Sequence, residues 1–277
     1  MHKVRLGSLP LRTAISLAAP FMMTTACDKK EEIPATPTIA ASSIAPPTPP
    51  VGSKATRFIL DPASKTTIDM PAPKERIKGD TSAATGEVTV DPSDLGKTRG
   101  QVKIDLTTLA THTFDDATKD KSQTEHAHNW LEAGDLVTPE VKEANRWVIF
   151  TIRSVDGLAN ADLTKIPTTH VDADDVRTVS AVAKGDFFLH GHQVPKEVPI
   201  EVVFHYATGK ADSSAPTRLD IRTKTPLHVV LAEHDVKPRD SVGKLAQASF
   251  SLLGTKVAET ADVMFDMRAT PAPSAAP

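Results

Sequence analysis

The chain has a single cysteine in 277 residues, Cys27, so no disulfide can brace it from within. It also lacks an apolar run long enough to cross a bilayer, which takes about 20 residues; the nearest candidate, 13–23, is far short of that. No Gly-x-Ser-x-Gly elbow and no His-Glu-x-x-His pair occurs, and the glycines form no loop that could cradle a phosphate. The usual hydrolase, zinc-protease and nucleotide-binding readings therefore fall away, and the chain is expected not to be an enzyme. Positive charge is not in excess either. The formal net charge is −3, and loss of the first 26 residues, with Lys3, Arg5 and Arg12 and no acid, takes it to −6. Such a chain has no electrostatic basis for holding nucleic acid or an anionic membrane surface. No internal repeat and no coiled-coil heptad is present.

What the chain does have begins with an export signal. Lys3, Arg5 and Arg12 make a basic start, the run 13–23 is mostly apolar, and the small residues Thr24, Thr25 and Ala26 lead to Cys27, so 1–26 reads as a cleaved signal peptide. A lone cysteine at that place resembles the lipobox of bacterial lipoproteins, with Thr24 where leucine is usual. The resemblance implies that Cys27 is the lipid attachment site, that it becomes the first mature residue, and that the protein sits in the cell envelope, membrane-anchored and facing the periplasm. Each buried acyl CH₂ contributes about 0.8 kcal/mol, so two or three chains hold durably. The alternative is a secreted protein with an unmodified thiol. Residues 27–54 follow as a linker, with Pro34, Pro37, Pro46, Pro47, Pro49 and Pro50 among Ala, Ser and Thr. Nothing in it is expected to pack, and in polyproline II form it would reach up to roughly 80 Å. The tail 270–277 has the same composition and the same expectation of disorder.

The span 55–269 suits one all-β domain. In 101–106, Val102, Ile104 and Leu106 fall on one side and Gln101, Lys103 and Asp105 on the other, the period of a half-buried strand. Residues 147–155 put Val148, Phe150 and Ile152 on one face, and 198–206 do the same with Val198, Ile200, Val202, Phe204 and Tyr206. Weaker strand patterns cover 56–60, 65–70, 86–90, 176–188, 217–223, 227–231, 248–252 and 261–267, punctuated by glycine and proline. One helix is predicted over 121–133, with Ser122 or Thr124 as its cap and Gly134 as its stop. About ten short strands with one interposed helix predict an antiparallel sheet closed into a β-barrel, whose interior either is filled by side chains or holds one slender ligand.

The segment 185–206, GDFFLHGHQVPKEVPIEVVFHY, resembles the signature hairpin of the YceI-like family, through Gly185, Asp186, Leu189, His190, Gly191, Lys196, Glu197 and Val198, with an extra pair at His192 and Gln193. FILDPAS at 58–64 resembles the family's opening strand and Asp-Pro turn. The stretch 86–111 resembles its next block, and 146–155 the strand that carries an Ile-x-Phe pattern. Together these cover nearly the whole domain. The resemblance implies an exported, lipocalin-like closed barrel that encloses a polyisoprenoid or isoprenoid quinone lipid and bears no catalytic residues. The helix, TEHAHNWLEAG at 124–134, departs from the family's Arg-Asp-x-x-Leu and paired phenylalanines in a region the resemblance places by the cavity mouth.

A prenyl chain offers almost nothing to hydrogen-bond, so alternating aliphatic residues are enough to hold it. The candidate ligand-lining positions are Val102, Ile104, Leu106, Phe150, Ile152, Phe187, Leu189, Val202 and Phe204, which would equally serve a solid core. The partners expected are therefore an apolar lipid and, through the anchor, a membrane, with no obligatory cofactor. Two alternatives stay open. One is an envelope interaction module with a filled barrel. The other is a histidine-based metal site drawing on His190 and His192, with Glu233, His234 and Asp235, although His126 and His128 are two apart and do not share a helical face. If Cys27 is acylated, radiolabelled palmitate enters the wild-type chain and not Cys27→Ser; equal labelling of both removes the anchor.

Overall fold

The computed structural model describes residues 39–48, 55–71, 76–237 and 258–273. Cys27, the signal segment, most of the linker and the strand predicted at 248–252 lie outside them. Among the described residues no helix is long and apolar enough to cross a membrane.

Eight antiparallel strands form a ring of hydrogen-bonded neighbours: β1 (Thr56–Leu60), β4 (Ala84–Val90), β5 (Arg99–Asp105), β7 (Trp147–Asp156), β9 (Asp174–Leu189), β10 (His192–Ala207), β11 (Arg218–Thr223) and β13 (Thr260–Pro271). The ring closes where β1 meets β13, with Phe58, Ile59 and Leu60 opposite Pro271, Thr270 and Ala269. β13 also runs past that closure. Its first half lies between β2 (Lys65–Met70) and β12 (Leu227–Val230), and β2 pairs onward with β3 (Ile77–Thr81) and β6 (Ala110–Thr111). β8 (Thr169–Val171) pairs β9 at its start.

The interruptions between in-line strands follow from proline. β1 and β2 run along the same edge of β13, separated by Asp61-Pro62-Ala63-Ser64; Pro62 has no N–H to donate, and the Asp61 carboxylate caps the turn by accepting from the Ala63 N–H at 2.8 Å. β11 and β12 are likewise separated before Pro226. Pro195 and Pro199 do lie inside β10, in the part that pairs β9 alone, because β11 joins only from Ile200. β9 and β10 make the longest hairpin, closed by His190 and Gly191 at φ 50° and 79°, a tight turn whose twist matches the strands. The pair His192 and Gln193 simply begins β10 in register with Leu189 and Phe188.

Four expectations need correction. There are two helices, not one: α1 (Ala117–Trp130) and α2 (Pro139–Asn145), the second started by Thr138 with proline in its first turn. α1 starts earlier than predicted, because Asp116, not Ser122 or Thr124, accepts from the Thr118 and Lys119 N–H groups. The linker is not wholly free of packing. Ile39, Ala41 and Ile44 cover Ile149 and Phe188 on the outside of the ring, Ile39 N–H donates to Gly191 O at 2.7 Å, and Gln101 Nε2 donates to Ala45 O at 3.3 Å. Finally, Thr270 and Pro271 belong to β13, and the Ala272 N–H donates to Arg57 O.

The wall is tight at particular glycines. Gly86 has φ +133°, and a Cβ there would stand 2.0 Å from Gln101 O on the neighbouring strand; at Gly185 it would stand 2.1 Å from Thr151 O. Gly86→Ala therefore forces β4 and β5 apart and costs about 1–3 kcal/mol. A thermal melt should show a midpoint several degrees lower, and an unchanged midpoint would contradict so close an approach.

Candidate functional site: an apolar hollow along the ring

The inward faces of the ring strands are mostly aliphatic or aromatic, and their side chains pack as two buried clusters with unfilled spaces left among them. Three spaces lie in sequence, of about 160, 60 and 60 Å³. The widest is at the α1 end. Ile104, Val148, Phe187 and Phe265 line both it and the second space, while Val88, Ile152, Ala183, Ile200 and Ile221 line both the second and the third. For scale, a dry cavity of about 150 Å³ lined by Leu, Ile and Phe takes up benzene or xenon.

All nine residues proposed from the alternation stand on these walls. Leu106 and Leu189 line the widest space, together with Ile104 and Phe187. Val102 and Phe150 line the second, and Ile152 spans it and the third. Val202 and Phe204 lie at the far end. The alternation in β5, β7, β9 and β10 brings them together because strands with a common inward face leave every second side chain in the ring.

Other parts of the wall were not foreseen. Ile68 and Met70 from β2, Ile77 and Gly79 from β3, and Trp130 and Leu131 at the end of α1 surround the widest space. The period-two pattern of Thr66, Ile68 and Met70 was a usable signal; β3, with Gly79 and Thr81 on its inward face, offered almost none. Five polar residues share that wall: Thr66, Thr81, Thr111, Gln123 and His126. Thr66 and Thr81 are each 2 % exposed and Gln123 6 %, and Thr66 Oγ1, Thr81 Oγ1 and Gln123 Nε2 have no protein partner. The cavity carries no lysine or arginine.

α1 has few apolar residues with which to pack, so hydrogen bonds seat it over this end. The Thr111 N–H donates to Thr124 Oγ1 at 2.9 Å, Thr111 Oγ1 donates to Asp120 O, and Thr113 Oγ1 donates to Gln123 Oε1 at 2.7 Å. Where β5 turns toward β6, the Asp105 carboxylate accepts two bonds from Arg146 at 2.9 and 2.6 Å and one from the Thr107 N–H. Burial pushes the Asp105 pKa up, but the Arg146 and Thr107 bonds outweigh it and hold the carboxyl below its ordinary range.

The histidines are structural at this end. His190 Nδ1 donates to His234 O at 3.0 Å, and its Nε2 lies 2.9 Å from Glu132 Oε2, which ties the β9–β10 turn to the loop after α1 and to the turn after β12. His234 is fully buried with its ring edge-on to Phe187, the centroids 5.4 Å apart. Burial depresses its pKa from 6.5 to about 4, offset only in part by the nearby His192 and Leu189 backbone. No group of three His, Cys, Asp or Glu that could hold a metal ion occurs among the described residues, so His190, His192 and His234 do not converge as a metal site.

Among solved structures, the chain is similar to a polyisoprenoid-binding domain from Saccharophagus degradans implicated in plant cell wall breakdown (TM-score 0.47, 12% identity, covering 79% of this chain and 100% of that one). It is also similar to BcnA of Burkholderia cenocepacia (TM-score 0.48, 13% identity, 76% and 99%) and to the YCEI protein of Campylobacter jejuni (TM-score 0.37, 11% identity, 70% and 84%). No family model matches the chain, and no curated protein does.

Because His234 is neutral in the fold and titrates near 6.5 when unfolded, the unfolded chain takes up the extra proton as pH falls. Stability present above pH 6.5 is therefore lost progressively down to about pH 4, by on the order of 3 kcal/mol. Urea midpoints at pH 7 and pH 4.5 should differ accordingly in the wild type and far less in His234→Leu; equal losses in both would contradict this role.

Proposed function

We propose that this protein is an envelope lipoprotein that holds one apolar, isoprenoid-type lipid along the axis of its strand ring. The observation that carries the reading is the hollow: three apolar spaces in line, with shared walls, suit a slender hydrocarbon better than a compact metabolite. Burial of prenyl surface supplies about 25 cal/mol per Å², enough for firm binding without a directional contact, while the ordering of the chain offsets much of the total. A solid interaction module would need the side chains to fill that space.

The linker supports a membrane-linked role. Ile39 is bonded to Gly191 in the β9–β10 turn, and Leu189, two residues earlier, lines the widest space. With Cys27 acylated, the twelve steps from Cys27 to Ile39 span at most about 43 Å, roughly half the reach of a linker that packed nowhere. The end of the ring with the widest space is the end to which the linker is bonded, which favours exchange of an apolar ligand there without a long passage through water.

The full chain, purified from membranes and extracted with organic solvent, should yield about one apolar lipid per protein by mass spectrometry. Val263→Phe, which adds bulk to the widest space, should lower that yield at least about tenfold while the protein stays folded. Wild-type protein that carries no lipid and takes up none of an added prenyl lipid would end this reading.

A further inference from the structure

We infer that the lipid's polar end is uncharged, presents an oxygen that accepts hydrogen bonds, and is taken by Thr66, Thr81 and Gln123 at the α1 end of the ring. This inference rests on the lipid-holding reading above and makes it specific.

Thr66 and Thr81 are register partners across β2 and β3, and both face the widest space. Their hydroxyls have no partner, unlike other buried threonines in the same fold. Thr111 Oγ1 donates to Asp120 O, and Thr223 Oγ1 accepts from the Phe265 N–H at 3.1 Å. A buried hydroxyl with nothing to bond costs about 1–3 kcal/mol, and valine at either position would remove that cost while keeping the strand and the volume. Two such costs side by side, in a wall that is mostly apolar, are explained if the missing partner is the ligand.

Gln123 adds a donor of fixed sense. Thr113 Oγ1 accepts from the Lys78 N–H at 2.9 Å and donates to Gln123 Oε1 at 2.7 Å, which is shorter than its 3.5 Å distance to Lys78 O. That bond orients the amide and leaves Nε2 as the unpartnered donor of a residue that lines the same space. One amide N–H and two hydroxyls together complement a carbonyl, ether or alcohol oxygen.

Charge decides the rest. With no lysine or arginine on this wall, and His126 as its one ionisable side chain, a phosphate would be desolvated without a strong counter-charge. The head is thus neutral, and the tail runs from it into the second and third spaces.

The test compares three probes of equal chain length on the full chain washed free of lipid: geranylgeraniol, its monophosphate, and the parent hydrocarbon. Calorimetric titration should show the alcohol about tenfold tighter than the hydrocarbon, and the phosphate at least about tenfold weaker than the alcohol. Thr66→Val and Thr81→Val should each weaken the alcohol by about fivefold, leave the hydrocarbon unchanged, and not lower the thermal midpoint without lipid. Thr66→Ser should keep the preference for alcohol. Gln123→Met gives the same readout should either valine variant fail to fold. Equal affinities for alcohol and hydrocarbon, or for alcohol and phosphate, overturn the assignment of the head and leave the lipid-holding reading standing. No binding of any probe overturns both.

Discussion

The structure depends on the closure between β1 and β13. Three residue pairs, and the bond from the Ala272 N–H to Arg57 O beyond them, turn an open antiparallel sheet into a ring with no free edge at that seam. Once closed, a ring of eight strands has a set girth, and its interior is about as wide as two facing layers of side chains. Whether it is solid then depends on side-chain size. With Ala181, Ala183 and Gly185 on β9, and Val88 and Val102 on β4 and β5, the inward side chains pack against one another but leave spaces among them. The hollow follows from closure together with small aliphatic residues, and it needs no dedicated motif.

The two ends of the ring differ because the proline breaks fall on one side of the closure. Beyond Pro62 and Pro226, β2, β3, β6 and β12 form an extension around the first half of β13, and α1 lies over it, held by hydrogen bonds from β6 and its flanks. The His190–Glu132 contact and buried His234 tie three loops together at that end. The widest space and all three unpartnered polar groups on its wall are therefore in the part of the fold built from short strands and a polar helix. The far end, around Phe204 and Leu219, offers only a smaller, largely apolar space.

Much of this was legible in the sequence where physics leaves one reading. β1 and β2 have the predicted bounds because Asp61-Pro62 ends one ladder and Lys65 starts the next. The inward sets of β5, β7 and β10 follow the period-two alternation, and the nine positions face the interior of the ring, a placement that the alternation predicts equally for a lining and for a solid core. The rest was hidden for identifiable reasons. β3 buries Gly79 and Thr81 and so shows no apolar alternation. The segment 39–45 has a linker's composition, yet Ile149 and Phe188 needed cover on the outer face; the adjacent apolar pairs Val148-Ile149 and Phe187-Phe188 were the sign that both faces are buried there. α1 was placed late because its cap, Asp116, sits in a polar stretch that period alone does not mark. Unpartnered hydroxyls at Thr66 and Thr81 are tertiary facts, invisible until β2 and β3 are brought together.

The central claim is that the ring is closed and hollow along its length. Crystals of the full chain pressurised with xenon test it most directly, since xenon enters apolar voids and ignores filled cores. The account predicts ordered xenon in line on the ring axis, strongest near Leu106, Leu189 and Val263 and present again beside Ile152 and Ile200. A ring whose interior admits no xenon, with side chains in contact from wall to wall, would contradict it.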